Sequence, residues 1–169
     1  MFAAFAGCTT IPTGSAGVAG DTFVGRLSVR VDATAAAPAR ALSAAFELRG
    51  DPRSGWLDLS TPLGSVLAQA RWSPSQVVLV TPRGETTFAS LDALTAEVLG
   101  ESLPVAALFD WLQGRPWPDA PVTSPATAMG GSFEQLGWAV NLSRFDEAVV
   151  SAHRDRSPAV DVRIKLERP

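Results

Sequence analysis

Residues 54–72 read SGWLDLSTPLGSVLAQARW, and this stretch decides the fold. Apolar side chains alternate with their neighbours in 56–60 and again in 65–72, which is the period of β-strands with one apolar face. Between the two runs lies TPLG (61–64), where the proline fixes φ and the glycine tolerates a positive φ. The stretch therefore predicts a β-hairpin with Leu63 at its tip.

A leucine at the tip of a hairpin has two interpretations. Folded surfaces contain many apolar atoms, so a single exposed leucine can be without function. A leucine held between proline and glycine on a projecting turn is also suited to contact a membrane or a lipid. The residues of the hairpin leave both interpretations open.

Other segments of the chain share this strand pattern. On the N-terminal side of residue 90 they are 23–32, 42–49, 76–81 and 85–88, and nearer the C-terminus they are 132–136, 138–142, 148–153 and 159–166. Turn residues separate them at intervals of 8 to 12 residues, as at GDPRS (50–54) and PRG (82–84). The pattern predicts an antiparallel sheet that is curled or closed.

Between the two groups of strands the apolar period becomes helical. Ser90 is a suitable N-cap and Gly100 a suitable stop for one helix, and Pro104 suits the first turn of a second helix that ends at Gly114. Two short amphipathic helices in a sheet protein must cover something, and the candidate is the concave apolar face of the sheet. They either cover a cavity there or plug the core.

The remaining segment, residues 115–131, is rich in proline, glycine and small residues, so we interpret it as a surface loop. Strands, then helices, then strands within 23–169 indicate a single α+β domain. With 169 residues the chain is long enough for a sizeable core.

The composition restricts the partners. The net charge of −3 and the pI of about 5.1 argue against nucleic acid, because no cluster of Lys and Arg is present to neutralise phosphates. Charged residues make up 18% of the chain, against about 25% in typical soluble domains. The apolar excess suggests a lined cavity. No run of 18 apolar residues, the length needed for a transmembrane helix, is present.

The first residues form a separate segment. Residues 1–8 (MFAAFAGC) are apolar and place small residues before the only cysteine, Cys8, which resembles the lipobox of a bacterial lipoprotein. The alternative is an apolar N-terminus with a buried cysteine. Because seven residues cannot hold a complete signal peptide, we interpret 1–8 as a truncated remnant, followed by a flexible tether in 9–22.

No pattern indicates catalysis. His153 is the only histidine and lies in what looks like a charged turn, without a signature for a nucleophile. Glu97 and Glu101 are four residues apart at a helix end and are expected to be solvated. One Cys and one His cannot complete a zinc site, and no phosphate-binding glycine loop is present. We therefore expect no enzyme, no metal and no cofactor.

Several motifs together resemble the LolB family of outer-membrane lipoproteins. They are WLDLSTPLGS at 56–65, Arg83-Gly84, the pattern LGxxLPVxxLxxWLxGxP at 99–116, QLGWAV at 135–140 and GRL at 25–27. The similarity extends over about residues 23–166.

The resemblance implies an unclosed antiparallel β-barrel whose hydrophobic cavity is covered by short helices. It also implies that the protein receives acylated lipoproteins from a LolA-like soluble periplasmic carrier and inserts them into the outer membrane without nucleotide hydrolysis. Cys8 would carry the lipid anchor on the periplasmic face, and Leu63 would act in membrane insertion. We expect a monomer, and the alternative is a soluble periplasmic carrier of lipids or other amphiphiles.

A cavity for acyl chains would be lined by apolar residues of the strands and helices. We expect these to be Phe46, Leu48, Leu57, Leu59, Val77, Leu79, Leu94 and Leu108.

Overall fold

A computed structural model describes residues 20–124 and 131–167 of the chain. The strands are β1 (Asp21–Val31), β2 (Arg40–Gly50), β3 (Gly55–Ser60), β4 (Val66–Ser73), β5 (Gln76–Thr81), β6 (Gly84–Phe88), β7 (Val122–Ser124), β8 (Phe133–Gln135), β9 (Trp138–Asn141), β10 (Val149–Arg154) and β11 (Val160–Leu166). The helices are α1 (Leu91–Leu99) and α2 (Val105–Trp111), and a short 3₁₀ helix spans Phe145–Glu147.

All eleven described strands belong to one antiparallel sheet, in the order β6-β5-β4-β3-β2-β1-β11-β10-β9-β8-β7. The first six strands form a meander, and the last strand returns to pair with β1. Strands β6 and β7 are the two edges and do not pair with each other, so the barrel is unclosed. The predicted fold class is confirmed.

Strict alternation gives the sheet its apolar concave face. In β2 the residues Ala44, Phe46 and Leu48 are buried, as predicted, and in β11 the residues Val160, Val162 and Ile164 are buried. Strands β1 and β11 approach each other closely at Gly25, where an added Cβ atom would lie only 2.2 Å from the Lys165 carbonyl oxygen.

Helix α1 begins and ends as its sequence predicts. The Ser90 hydroxyl accepts a hydrogen bond from the backbone N–H of Ala93 at 3.1 Å, and Gly100 terminates the helix in the left-handed conformation at φ 83°. Leu94 and Leu99 are buried, whereas Val98 is 42% exposed. Helix α1 thus lies at the surface with one apolar side against the sheet.

Helix α2 is packed much more deeply. Phe109 makes edge-to-face contacts with Phe23 and Trp72, each at 6.2 Å between ring centroids. Trp111 is fully buried and contacts Phe133 and Trp138. Helix α2 therefore plugs part of the barrel interior, while α1 only covers it.

A buried glutamine fixes α2 to the sheet. The side-chain oxygen of Gln135 accepts hydrogen bonds from the indole N–H of Trp111 and the backbone N–H of Trp117, each at 2.9 Å. Its amide nitrogen donates to the carbonyl oxygens of Trp117 at 2.7 Å and Ala120 at 2.8 Å. The fully buried amide thus uses its complete hydrogen-bonding capacity.

The structure corrects three details of the expected fold. The predicted loop 115–131 contains the short strand β7, and its residues 125–130 lie outside the described residues. Strand β1 begins at Asp21, two residues before its predicted start, and residues 9–19 of the predicted tether lie outside the described residues. The alternation in β4 breaks near Val66, which is 55% exposed, because the register shifts at Leu59 and Ser60.

Within the described residues, no helix has both the length and the apolar character required to cross a membrane.

Replacing Gln135 with leucine tests this buried junction. The Gln135→Leu variant keeps most of the volume but leaves two N–H groups and two carbonyl groups without their partner. We expect the free energy of unfolding to fall by about 3 kcal/mol or more, measured by urea denaturation.

Gln113→Leu is the matched control, because this amide lies nearer the surface, where it donates to Asp21 and to the Phe109 carbonyl oxygen. We expect a loss below about 1 kcal/mol for this variant. Equal losses in the two variants would contradict the special role of Gln135.

Candidate functional site: an apolar cavity under the helices

An apolar cavity of about 120 Å³ lies between the concave face of the sheet and the two helices. Its wall contains one polar residue, Thr95, whose hydroxyl donates to the Asp92 carbonyl oxygen at 3.1 Å and accepts from the Leu103 backbone N–H at 3.0 Å. The cavity therefore presents no unsatisfied hydroxyl to a guest, and an apolar guest fits its chemistry.

The structure brings six of the eight predicted lining residues to this cavity. They are Phe46, Leu48, Leu57, Leu59, Leu94 and Leu108.

Val77 and Leu79 do not line the cavity, which corrects the expectation. Val77 is 6% exposed and pairs with Trp72 of β4 and Phe88 of β6, at the end of the sheet that the α1 N-terminus covers. Leu79 lies on a part of the concave face that α1 leaves open. Alternation predicted the correct face of β5, but it could not predict which part of that face the helix covers.

The cavity has further lining residues that the sequence did not predict. These are Leu27, Val29, Leu42, Thr95, Val98, Leu99, Leu103, Val105, Leu112, Val162 and Ile164. Several of them lie on the apolar faces of β1 and β11, which the alternation of apolar and polar residues in these strands indicates. The adjacency of β11 to β1, which closes this side of the cavity, had no local signal.

Three polar contacts hold the helices over the cavity. The Arg40 guanidinium, at the start of β2, donates to the carbonyl oxygens of Glu97 at 3.1 Å and Val98 at 3.3 Å near the C-terminus of α1. Cations at this end of a helix are favourable because they compensate the helix dipole. The second contact is the bond from the Leu103 N–H to Thr95 described above.

The third contact is an ion pair, and it corrects the expectation that Glu101 is solvated. Its carboxylate accepts a hydrogen bond from the guanidinium of Arg154 at 2.6 Å, and the two side chains are 21% and 7% exposed. Arg154 also lies over the Trp138 ring at 5.1 Å. The segment that connects α1 to α2 is therefore attached to β10.

Leu63 is located where the hairpin prediction placed it. It is 95% exposed at the turn between β3 and β4. The turn is closed by a hydrogen bond from the Thr61 N–H to the Ser65 carbonyl oxygen at 2.8 Å, and the Thr61 hydroxyl accepts from the Ser65 N–H at 3.1 Å. Gly64 supplies the positive φ of 85°. A well-defined turn thus presents an apolar side chain to solvent.

His153 lies in strand β10 and not in a turn, which corrects its expected position. Its Nε2 is 2.6 Å from an Asp155 oxygen and its Nδ1 is 2.8 Å from an Asp161 oxygen. The hydrogen bond to Asp155, and then that to Asp161, raises the pKa of His153. Both ring nitrogens contact carboxylates, so neither is positioned to accept a proton from a serine or cysteine nucleophile.

Two further expectations concern a metal site and the lipidation of Cys8. In the part of the chain that the structure describes, no cluster of His, Cys, Asp and Glu is arranged to hold a metal ion. Cys8, the expected lipidation site, lies outside the described residues.

The fold and the cavity define this protein as an unclosed β-barrel with an apolar interior beneath two short helices. The sequence model of the family described as outer membrane lipoprotein LolB matches residues 22–168. The chain belongs to this family, as its motifs had indicated.

Curated relatives support the assignment. The chain is 34% identical to the outer-membrane lipoprotein LolB of Bordetella petrii, in an alignment that covers 100% of this chain and 89% of the relative. The LolB protein of Bordetella pertussis gives the same identity and coverage. That of Cupriavidus pinatubonensis is 38% identical over 73% of this chain and 60% of the relative.

The ion pair between Glu101 and Arg154 can be tested by removing the carboxylate. Glu101→Ala leaves a buried guanidinium without its partner, so we expect the free energy of unfolding to fall by about 2 kcal/mol. Amide hydrogen exchange should also accelerate in the segment that joins α1 to α2. Glu97→Ala is the control, with an expected change within about 0.5 kcal/mol. A Glu101→Ala protein as stable as this control would argue against the attachment.

The raised pKa of His153 predicts a pH dependence of stability. The protonated ring is favoured in the folded state, so its contribution is complete below the unfolded pKa of about 6.5 and is lost as the pH rises through the folded value. The stability difference between the wild type and His153→Asn should therefore be largest below about pH 6.5 and should shrink as the pH rises above that value. Thermal unfolding at a series of pH values measures it, and a difference that is constant with pH would contradict the prediction.

Proposed function

We propose that this protein receives acylated lipoproteins from a LolA-like soluble periplasmic carrier and inserts their acyl chains into the outer membrane. In this proposal the protein resides at the periplasmic face of that membrane, anchored through lipid on Cys8, and works as a monomer without nucleotide hydrolysis. The observation that carries the proposal is the apolar cavity on a barrel that also exposes Leu63 at 95%.

The cavity supplies the apolar environment that an acyl chain needs outside a membrane. Each methylene that leaves water contributes about 0.8 kcal/mol, so a multiply acylated protein does not cross an aqueous space unaided. The six predicted residues on the cavity wall are all apolar, and three of them, Phe46, Leu48 and Leu94, are already excluded from solvent.

Access to the cavity requires a helix to move, and α1 is the candidate. Helix α2 is held by the buried contacts of Phe109 and Trp111, so its displacement would disrupt the core. Helix α1 is held at its C-terminal end by Arg40, and its residue Val98 is 42% exposed. A helix at the edge of the core can be displaced at lower cost by an entering chain.

Leu63 is assigned to the contact with the bilayer. Burying one leucine contributes about 1.5–3 kcal/mol, which is enough to perturb a bilayer locally but too little to anchor a protein. Anchoring therefore falls to a lipid on Cys8. The exposure of Leu63 favours this proposal over the alternative of a soluble carrier, which has no need for an apolar side chain on a projecting turn.

In this scheme, only differences in affinity for the acyl chains drive the transfer of the lipoprotein. The acyl chains pass from the carrier to this protein and then to the bilayer, and each acceptor binds them more tightly than the donor before it.

A transfer assay with Leu63→Glu tests the proposal. The acceptor is the lipid-anchored protein in liposomes, and the donor is a LolA-like carrier loaded with an acylated lipoprotein. We expect the variant to accept the lipoprotein normally but to release it into the bilayer at least about tenfold more slowly, because a charge at the tip opposes entry into the apolar region. The measurement is the fraction of lipoprotein that floats with the liposomes and is not bound to the acceptor.

Two controls accompany this assay. Leu63→Met keeps the tip apolar and should release normally, and Val24→Glu places the same charge at an exposed position on β1 away from the tip. Thermal unfolding of all variants should match the wild type. Normal release by Leu63→Glu would remove the role of Leu63, and failure of the wild type to accept the lipoprotein would overturn the proposed function.

A further inference from the structure

A second site, with an apolar floor and polar residues around it, lies on the other side of helix α1 from the cavity. It is an open groove of about 600 Å³ on the concave face of β4, β5 and β6. Its apolar residues are Leu67, Leu79, Pro82 and Phe88, and its polar residues are Thr81, Arg83, Thr86 and Glu97. We call it the β4–β6 groove. Leu79 and Phe88 are only half buried, and Leu67 is 36% exposed.

The groove and the cavity share one apolar row of the sheet. Leu57, Ala70 and Leu79 lie side by side on β3, β4 and β5. Leu57 lines the cavity and Leu79 lines the groove. Helix α1 lies between the two sites, since Val98 faces the cavity and Glu97 borders the groove. A displacement of α1 would therefore join them into one continuous apolar trough.

The cavity alone is too small for a membrane acyl chain. A cavity of about 150 Å³ in another protein accommodates benzene, a guest of six carbons. The cavity here has about 120 Å³, whereas a membrane acyl chain contains more than twice that number of carbons. Most of such a chain needs another apolar surface, and the groove supplies one directly beside the cavity.

The ends of the groove also suit an amphiphile. Its outer end is formed by Pro82 and Arg83 at the turn between β5 and β6. This turn lies at the same end of the sheet as the hairpin that carries Leu63, because β3 and β5 run in the same direction. A polar head near Arg83 would therefore be held on the side of the molecule assigned to the bilayer.

We infer that the β4–β6 groove is a second binding site for the acyl chain, which holds the part that the cavity cannot enclose. The inference rests on the proposed function. It names the groove as the place where a chain lies extended between the cavity and the bilayer, with its polar end near Arg83.

A series of saturated fatty acids from octanoate to palmitate tests the inference. Each acid competes, below its critical micelle concentration, with a fluorescent fatty acid bound to the full chain. Affinity should rise by about fourfold per methylene for as long as added methylenes find apolar surface. In the wild type we expect this rise to continue to palmitate, beyond the length that the cavity encloses.

Variants separate the two sites. Leu79→Ser and Leu67→Ser should weaken palmitate at least about tenfold and octanoate much less, because more of the longer chain lies in the groove. Leu57→Ser, in the cavity, should weaken every acid. Val78→Ser is the matched control, since it neighbours Leu79 on β5 but faces the convex side of the sheet. Leu67→Ser alters a partly exposed position, so the test does not depend on the stability of the Leu79 variant.

The outcomes distinguish the two proposals. Palmitate affinity that is unchanged in both groove variants would overturn the inference while leaving the proposed function intact, because the cavity would then expand to hold the whole chain. An equal loss for octanoate and palmitate would also overturn it. Failure of the wild type to bind any fatty acid would overturn the proposed function as well.

Discussion

The hydrogen bond from the Trp111 indole to Gln135 is the interaction on which the rest of the structure depends. It joins a helix from the middle of the chain to a strand near one edge of the sheet, and both side chains are fully buried. The same amide holds the segment between α2 and β7 through Trp117 and Ala120. Because a buried amide without partners is costly, this arrangement fixes the depth of α2 in the barrel.

The position of α2 in turn creates the cavity. Its aromatic residues fill one region of the interior, while α1 covers another part of the concave face and leaves the part around Leu79 open. The side chains of the sheet and of the two helices leave an unfilled volume next to Leu57, Leu59 and Leu94. Helix α2 is thus held firmly in the core by buried aromatic and hydrogen-bonding contacts, whereas α1 covers the cavity from a more exposed position.

Much of this arrangement could be predicted from the sequence, because the relevant signals are local. The proline and glycine on either side of Leu63 define a turn whatever surrounds it, and Ser90 and Gly100 define the ends of α1 in the same way. Alternation predicts the apolar faces of strands such as β2 and β11, but not that of β4 near Val66. These features depend on neighbouring residues in the chain.

The features that escaped prediction depend on residues that are distant in the chain. Glu101 and Arg154 are separated by 53 positions, and nothing near either residue identifies the other as its partner. The full set of bonds made by Gln135 likewise requires knowledge of how the barrel curves. Val77 and Leu79 lie on the predicted face, yet only the position of α1 decides whether that face belongs to a cavity, a groove or the core.

The gap between β6 and β7 has a mechanical consequence. A closed barrel has a diameter fixed by its strand number and stagger, so it cannot widen without breaking ladder hydrogen bonds. A sheet with two free edges can flatten or coil further by small changes of twist spread over many strands, with every ladder intact. The interior of this protein can therefore change its width by small changes of sheet twist, without loss of strand pairing.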